Sequence, residues 1–481
     1  MKLYILMALL LCLMLPLLSQ NTLNINGLNE ASFIYRTAED SLNAYFSDTF
    51  GFNLGYRNFS FGMKFIADLP KYSTEQAELL DELDANRLEL GWKEFYASYS
   101  KDAFTIHAGI TEESFGNGIV FRSYKDLEFD EDHRLDSFLF RYDGDIKLKA
   151  LYGAIESPAN VGKYDIAYGA DLQLPTIDGT YIGASAITFR NLNATQLYSE
   201  QSVIGTRMSL LFGNIDLQME TAISKDKPMT GADYNNGFAL YGTLNYYGKA
   251  LSLGTAYKKY SSFQYRLHDL PSVNHHNETL SDNSAAGEDE EGFQALVGYT
   301  IGENVSLNLD YAEAWDSNKD LTMNDAFIGV DWAKDGKLLG ASYAHIEKLD
   351  DLQHLWQQEL IPAVSLGIPI ADRILQIQGE YKIVTKQKQA TEIQHFEPKI
   401  QADFTVAKLS LSLGAQSNWE KASEALNSRY WASVEAKYPL ASHSDIVVFA
   451  GKEAGGKVCR NGVCRYVAPF QGLKVELSTR F

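Results

Sequence analysis

The sequence predicts an all-β protein: a large antiparallel transmembrane meander β-barrel of about 24 strands, within a range of roughly 20 to 26. Three observations predict this fold class. The last strand alternates perfectly and ends in an aromatic residue, the chain begins with an apolar export signal, and alternating segments recur throughout, joined in turn by short and long connections. No stretch after residue 20 approaches the length of an apolar membrane helix, so a membrane would be crossed by strands.

The final strand runs from Gln471 to Phe481. Strand side chains alternate between two faces, and here one face is mainly apolar and the other polar. The first face holds Leu473, Val475, Leu477, Thr479 and Phe481, and the second holds Lys474, Glu476, Ser478 and Arg480. A half-buried strand of a soluble sandwich would alternate in the same way, but a terminal aromatic residue is typical of Gram-negative outer-membrane barrels. Phe481 is the predicted barrel closure signal, on a strand that pairs with a first strand near residues 28–36.

The start of the chain has the parts of a secretory signal peptide. A charged start at Lys2 precedes an apolar run, residues 3–18, and a short polar exit. The run is shorter than the about 20 residues that a membrane helix needs. Cys12 follows a leucine instead of a small residue, which argues against a lipoprotein acylation site. We expect residues 1–20 to be the signal peptide and residues 21–481 to form a single outer-membrane β-barrel domain.

The composition is strongly acidic. With 42 Lys and Arg against 62 Asp and Glu, the formal net charge is −20 at pH 7. This excludes nucleic acid as an expected partner, because phosphate binding needs a basic footprint. The acidic excess fits a cation-favouring lumen, and solvated acidic loops explain it at least as well. The mean hydropathy of −0.22 is that of a soluble protein, but it also fits a barrel whose lipid-facing and lumen-facing residues cancel.

Period-two alternation dominates between the two ends of the chain. For example, Ile215, Leu217 and Met219 alternate with Asp216, Gln218 and Glu220. Tight polar turns are predicted around Arg57-Asn58, Lys101-Asp102, Asp143-Gly144, Thr176 to Gly179, Gly213-Asn214, Gly248-Lys249, Gly302-Glu303, Asp335-Gly336, Ala371-Asp372, Ala407-Lys408 and Ala441 to Ser444. Longer, more charged connections separate these turns, as in barrels with short periplasmic turns and long external loops. Both termini are predicted to face the periplasm.

Three long connections stand out. The first, residues 71–86, has acidic and leucine residues at helical spacing and predicts a short amphipathic helix in a solvated loop. The second, residues 111–136, follows the fifth predicted strand, which is also the position of the loop that enters the lumen of the general porins. Two glycines permit a sharp re-entry there, after which Ile119, Val120 and Phe121 would pack against the barrel wall.

The hypothesis for this second connection is that it constricts the channel. Its candidate residues are Glu112, Glu113, Gly116, Gly118, Arg122, Asp130, Glu131 and Arg134. The four acidic residues would face the two arginines, and opposed charges of this kind set selectivity in pores. A loop that projects outward is equally compatible with the sequence.

The third connection, residues 261–291, carries His268, His275, His276 and an acidic run. Imidazoles with carboxylates can hold a transition metal, but the spacing matches no closed metal site. We therefore expect a flexible hydrophilic external loop, with no metal and no cofactor.

A short hairpin precedes the final strand. Asn461-Gly462 is a strong signal for a two-residue turn, and such a turn places Cys459 opposite Cys464 at a non-hydrogen-bonded pair. The Cα atoms of such a pair lie about 4.5 Å apart, within the range of a disulfide, and an exported protein meets oxidising conditions. We predict a disulfide that stiffens an external projection. A metal site is the alternative, but no further ligands are apparent nearby.

No catalytic motif is apparent. The chain has no Gly-x-Ser-x-Gly elbow, no His-Glu-x-x-His motif and no phosphate-binding glycine loop. Ser342 and His345 lie on opposite faces of a predicted strand and cannot form a nucleophile–base contact. The sequence therefore predicts a protein that is not an enzyme.

Short motifs carry a resemblance that covers the mature chain. The strand end at 108–110, followed by Phe115-Gly116-Asn117-Gly118 and Arg122, and the Gly-Val-Cys464-Arg run leading to Phe481, resemble an uncharacterised family of Gram-negative outer-membrane β-barrels. The resemblance implies the bacterial outer membrane and the barrel fold, but no substrate or site residue.

The expected function is a porin-like channel for passive passage of small hydrophilic solutes, surrounded by outer-membrane lipid. That is the default for a barrel of many strands without a plug domain at its start. The alternative is a non-transport envelope scaffold or surface receptor with a blocked lumen, which would bind other envelope proteins. An outer-membrane hydrolase is a distant third.

Overall fold

The structure is a computed structural model. It describes residues 23–37, 43–69, 89–126, 131–157, 163–177, 179–192, 198–227, 235–280, 287–351, 353–371, 373–388, 391–422, 425–460 and 463–481. Within these ranges no helix is long and apolar enough to cross a membrane. The predicted signal peptide and the predicted helix of residues 71–86 lie outside the described residues.

The strands of the first half are β1 Asn24–Arg36, β2 Ala44–Tyr56, β3 Phe59–Leu69, β4 Glu89–Lys101, β5 Phe104–Thr111, β6 Glu113–Phe115, β7 Phe121–Ser123, β8 Lys125–Asp126, β9 Glu131–Asp132, β10 Leu135–Asp143, β11 Lys147–Glu156, β12 Tyr164–Pro175, β13 Tyr181–Leu192, β14 Tyr198–Phe212 and β15 Ile215–Lys227. Those of the second half are β16 Asn235–Tyr247, β17 Leu251–Ser261, β18 Asp289–Ile301, β19 Val305–Trp315, β20 Leu321–Lys334, β21 Lys337–Asp350, β22 Leu355–Ile370, β23 Arg373–Lys388, β24 Thr391–Val406, β25 Leu409–Ala422, β26 Ala425–Ala441, β27 Ser444–Glu453, β28 Gly456–Arg460, β29 Val463–Val467 and β30 Phe470–Arg480.

These strands form one closed antiparallel barrel. Three small ribbons, β6 with β7, β8 with β9 and β28 with β29, stand apart from a single 24-stranded sheet. The last strand pairs with the first, from Leu28 opposite Arg480 to Arg36 opposite Gly472. The predicted fold class and strand number are therefore confirmed.

The tight turns occur at the predicted positions and gather on one rim. Two-residue hairpin turns of type I′ need positive φ at both central residues, and Asp335 and Gly336 have φ of 52° and 75°. Both ends of the described barrel lie on this rim, because Asn24 pairs with Gly55 beside the first tight turn and β30 ends next to β1. That this rim faces the periplasm remains a prediction.

The two faces of the wall differ in polarity. On β14 and β15, Ile204 and Ile223 point outward and are 56% and 60% exposed, whereas the alternate residues Arg207 and Glu220 point inward and are 8% and 1% exposed. With strands about 4.8 Å apart and tilted by about 40°, a 24-stranded barrel has a circumference of roughly 150 Å and a backbone diameter of roughly 48 Å. Whatever fills or narrows so wide a lumen decides what the protein does.

Candidate functional site

The connection between β5 and β10 folds back inside the barrel in its described parts, residues 112–126 and 131–134; we call it the first inner loop. Phe115, Ile119, Val120 and Phe121 are at most 1% exposed. They form one buried cluster with inward-facing apolar residues of strands β10 to β17. The main hydrophobic core of the protein therefore lies in the lumen, between this loop and one side of the wall.

Glycines allow the close contact between loop and wall. Gly116 and Gly118 have φ of 60° and 95°, a conformation that residues with a Cβ avoid. On the wall, a Cβ at Gly205 would lie 2.3 Å from Cγ2 of Val120. Val120 therefore seats directly over a gap in the side chains of β14.

Buried polar groups of the wall hold the turn of the first inner loop. The backbone N–H of Asn117 donates to Oε2 of Glu220 at 2.8 Å. Beside it, Arg207 donates two hydrogen bonds to the Asp171 carboxylate, at 2.6 and 2.9 Å. A buried charge is tolerated only when it is paired and hydrogen-bonded, so these residues fix the loop to the wall at a defined position.

The predicted constriction residues have partners mainly outside their own loop. Glu113 accepts hydrogen bonds from Arg141 and Lys149 of the wall, the latter at 2.8 Å. Burial raises the pKa of Glu113, but the hydrogen bonds and charges of Lys149 and Arg141 outweigh burial, and the pKa lies below its ordinary value. Glu113 is therefore an anchoring anion on the lumen wall.

Arg134 is the residue that joins the loop to the early strands. Its guanidinium donates to Glu94 of β4 at 2.9 Å and to Asp132 at 2.6 Å, and lies 3.6 Å from Glu112. Glu112, whose side chain is 62% exposed, is thus the predicted acidic residue that faces a predicted arginine. Asp130 and the side chain of Glu131 lie outside the described residues.

The connection between β17 and β18 also lies in the lumen, in its described part, residues 262–280; we call it the second inner loop. The expectation of a flexible hydrophilic external loop was wrong for this part. Phe263, Leu267, Val273 and Leu280 are 0 to 8% exposed. Burial also lowers the pKa of His268 to about 4, so this imidazole is neutral near pH 7. The apolar residues of the loop pack inside instead of facing water.

Wall carboxylates receive the two other histidines of this loop. Nδ1 of His275 lies 3.1 Å from Asp310 of β19, and Nδ1 of His276 lies 2.9 Å from Asp325 of β20. The ring of His275 also stacks on Phe327, with centroids 3.9 Å apart. No group of three metal-ligating side chains occurs in the described part of the chain. These histidines attach the loop to the wall.

The two inner loops hold each other. The Arg122 guanidinium pairs with Asp269, and the backbone N–H of Arg122 donates to the Leu267 carbonyl at 2.9 Å. In return, the Asp269 N–H donates to the Gly118 carbonyl at 3.1 Å. Arg122 thus pairs with an acidic residue of the second inner loop and not with one of its own loop. The two loops form one inner layer.

The wall on the far side of β20 carries polar residues that face open lumen. Inward-facing Asp331, Gln378 and Glu380 are exposed although they lie on the inner face. They line a cavity of about 520 Å³ together with Lys399 and other small or polar residues. Near the turn rim, therefore, this part of the lumen is lined by water-accessible polar groups.

The cysteine hairpin has the predicted backbone register. Cys459 lies opposite Cys464 between β28 and β29, but both side chains lie outside the description, and the disulfide stays a prediction. Arg460 pairs with Glu453 at 2.7 Å and with lumen-facing Glu435 at 3.4 Å. Near its tip the hairpin therefore contacts lumen-facing residues, whereas the sequence predicted a surface projection.

Sequence reasoning missed the wall residues that receive the inner loops. Asp171, Arg207, Asp310 and Asp325 are inward-facing members of ordinary alternating strands. The alternation placed Glu220 on a polar face with Asp216 and Gln218, but gave no reason to separate the buried Glu220 from its solvated neighbours. A charged residue flanked by small lumen-facing residues, such as Arg207 between Gly205 and Ser209, is the signal that could have found one of them.

Comparisons with known proteins identify the family and the fold. A family model described as "Family of unknown function (DUF6029)" matches residues 1–307. No curated protein matches the sequence. Among solved structures, the Escherichia coli P pilus tip assembly intermediate PapC-PapD-PapK-PapG matches with a TM-score of 0.59 and 9% identity, over 95% of this chain and 60% of that chain.

Two further solved barrels are similar at lower scores. The P pilus usher (PapC) translocation pore matches with a TM-score of 0.47 and 8% identity, over 95% of this chain and 99% of that chain. The siderophore receptor PirA from Pseudomonas aeruginosa matches with a TM-score of 0.49 and 11% identity, over 96% of this chain and 80% of that chain.

A closed antiparallel barrel with an apolar outer face and a polar inner face is suited to the bacterial outer membrane. The protein is an outer-membrane β-barrel.

Proposed function

Because the chain belongs to the DUF6029 family of unknown function and folds as a closed outer-membrane barrel, we propose that it is a channel for passive passage of small hydrophilic solutes. The two inner loops narrow the channel. After removal of residues 1–20 as a signal peptide, the single barrel domain of residues 21–481 opens its short-turn rim to the periplasm.

The observation that carries the proposal is that the inner loops attach to only part of the wall. Their bonds run to one continuous part of the wall, from β4, where Arg134 pairs with Glu94, to β21, where Lys348 pairs with Glu278 at 2.6 Å. In a lumen roughly 48 Å across at the backbone, such a layer covers part of the wall. The exposed polar residues Glu380, on β23 beyond the attached strands, and Asp331, near the turn rim of β20, support a water-filled passage.

The inner layer suits a fixed constriction. Its turn sits on buried carboxylate and guanidinium groups, and its two loops share an ion pair and backbone hydrogen bonds, so solutes would pass it without moving it. Glu112 presents a largely exposed carboxylate beside Arg134, and facing charges of this kind select among ions. Asp130 and Glu131 belong to the same proposed constriction.

Planar bilayer recordings of the purified protein test the proposal. We expect steady conductance, and we expect deletion of Gly116 to Gly118 to change the conductance or ion preference because the turn loses its seat on Glu220. Arg122→Ala removes the ion pair between the loops and should increase current noise. Arg190→Ala is the matched control, since Arg190 pairs with Glu200 in an exposed site, with side chains 51% and 39% exposed. A silent barrel would contradict the channel, and an unaltered deletion variant would contradict the constriction.

One observation favours the second candidate, a receptor or scaffold with a blocked lumen. A third element, the hairpin of β28 and β29, also leans inward through Arg460. If the wild-type barrel is silent and Arg460→Ala opens it, the hairpin and loops act as a plug, and the external loops become the candidate surface for other envelope components.

A further inference from the structure

A second lumen cavity lies on the wall of the first strands, beside one edge of the inner layer. It has a volume of about 500 Å³ and is lined by residues of β1 to β5, by Arg480 of β30 and by both ends of the first inner loop. Cavities of roughly 300 to 1,000 Å³ with a few placed polar groups hold small molecules. The proposed channel uses Glu112 and Arg134 at the edge of this cavity and assigns no role to the rest of it.

An aromatic ring forms part of its surface. Tyr96 of β4 lies opposite Gly62 of β3, and a Cβ at Gly62 would come within 2.2 Å of the tyrosine ring. The ring therefore lies across the bare backbone of Gly62 instead of standing up from the wall. The His107 ring lies beside it with centroids 5.4 Å apart and planes 20° apart.

A row of amide and hydroxyl groups continues from this ring. The Tyr96 hydroxyl donates to Oδ1 of Asn53 at 2.9 Å, and Nδ2 of Asn53 donates to Oδ1 of Asn26 at 3.3 Å. Both asparagines are exposed on the lumen face. Each amide keeps donor or acceptor capacity beyond these bonds, and these bonds fix its orientation.

The charged groups of the cavity balance one another. Glu94 accepts hydrogen bonds from Lys64 at 3.3 Å and from Arg134 at 2.9 Å. Arg134 in turn lies 3.6 Å from Glu112. Arg134 also pairs with Asp132 at 2.6 Å, and Arg480 lines the cavity as a third cation. These three cations and three anions leave no net charge that would hold a charged solute, yet they supply donors and acceptors around a flat ring.

From this set we infer that the cavity binds neutral polyhydroxylated solutes, of the size of a mono- or disaccharide, on their way through the barrel. The C–H face of a sugar ring would lie on Tyr96, whose face carries the negative part of the aromatic quadrupole. Its hydroxyl groups would bond to Asn26, Asn53 and the exposed Glu112. Passage of the bound solute through the barrel rests on the proposed channel function, whereas binding to the cavity can be measured without conductance.

The first measurement is equilibrium binding of glucose and sucrose to the detergent-solubilised protein by calorimetry, with potassium glutamate as a charged comparison solute. We expect saturable saccharide binding, weakened about tenfold or more in Tyr96→Leu, which keeps apolar bulk over Gly62 but removes the aromatic face. Tyr99→Ala is the matched control, because Tyr99 lies on the same strand but on the outer face, against Phe59 at 4.7 Å. Its binding should equal that of the wild type.

The second measurement is current blockade in planar bilayers by the same sugars. Conductance with sucrose blockade that Tyr96→Leu relieves would support both channel and site. Conductance without saccharide binding, or equal binding by wild type and Tyr96→Leu, would overturn the site and leave the channel standing. Binding by a silent barrel would keep the site and overturn the channel, and tighter binding of glutamate than of sucrose would overturn the neutral solute class.

Discussion

The contact between Val120 and Gly205 offers a direct test of how the first inner loop is seated. In Gly205→Ala the new Cβ would lie 2.3 Å from Cγ2 of Val120 and 3.0 Å from the Thr221 carbonyl oxygen. Carbon atoms at rest are about 3.5 to 4.0 Å apart, so Val120 must shift by about 1 Å or more. Val120 is 1% exposed and stiff at χ1, so we expect a cost of about 1 to 3 kcal/mol in loop docking.

Trypsin protection of the folded barrel measures that cost, because Arg122 and Lys125 are cleavage sites within the loop. When docking is fast compared with cleavage, the rate follows the undocked population. A loss of about 1 to 3 kcal/mol should therefore speed cleavage about 5-fold to 150-fold. The matched control is Gly51→Ala, a lumen-facing glycine whose added Cβ would meet its nearest atom at 3.7 Å.

A double variant separates this clash from a general disturbance. Val120→Ala alone removes two buried methyl groups and should weaken docking by about 1 to 2 kcal/mol. In Gly205→Ala with Val120→Ala the clashing methyl group is gone, so the loss should fall short of the sum by about 1 to 2 kcal/mol. Equal cleavage of Gly205→Ala and Gly51→Ala, or strict additivity in the double variant, would refute the seating of Val120 over Gly205.

Three further predictions follow from the same structure. Deletion of Phe481 should reduce the folded, heat-modifiable fraction in membranes, because Phe481 exchanges two backbone hydrogen bonds with Gly27, at 2.9 and 3.1 Å, and stacks on Phe50. The control is Phe212→Ala, which changes an 81% exposed aromatic residue at the rim and should fold normally. Equal folded yields of the two variants would count against a closure role for Phe481. Mass spectrometry of unreduced protein should find Cys459 bonded to Cys464, and two free thiols would remove the disulfide. Docking of the second inner loop should weaken as pH falls, because the pKa of His268 is lowered to about 4 in the docked loop. Below about pH 6.5 the undocked loop takes up a proton, whereas the docked loop does not. The docking free energy present near pH 7 is therefore lost towards pH 4, by roughly 1 to 3 kcal/mol. Trypsin cleavage at Arg266 should report this loss, and His268→Phe should remove it; equal pH dependence in both proteins would exclude His268 as its source.

The strand count could be predicted because turn chemistry is local. Asp335, Gly336 and Gly213 have the positive φ that two-residue hairpin turns need, and each such turn forces the flanking strands to pair. Alternation then places every side chain on the inner or outer face. Neither step requires knowledge of distant residues.

The lumen contents could not be predicted in this way. Phe263, Leu267 and Leu280 have no regular spacing, and the carboxylates that receive His275 and His276 lie 35 and 49 residues further along the chain. Their inward position depends on a barrel wide enough to admit a loop, which is a property of the closed sheet. The re-entry of the first inner loop was easier to predict, because Gly116 and Gly118 are followed directly by the apolar residues 119–121.

The inner wall therefore carries two kinds of carboxylate, those that are buried with a partner and those that are exposed to the lumen. Asp171, Glu220 and Asp325 are buried, and the cost of burying a carboxylate is offset only by the arginine, backbone amide and imidazole that face them. Asp331 and Glu380 stay exposed to the lumen instead. If the lumen were filled by further protein, carboxylates in that position would need partners of comparable quality, because unpaired buried anions cost several kcal/mol. Replacing Asp331 and Glu380 together by Asn and Gln should therefore leave barrel stability almost unchanged while altering the ion preference of the conductance, whereas Asp325→Asn should loosen the second inner loop. A large loss of stability in the first variant would indicate a packed lumen and contradict the channel.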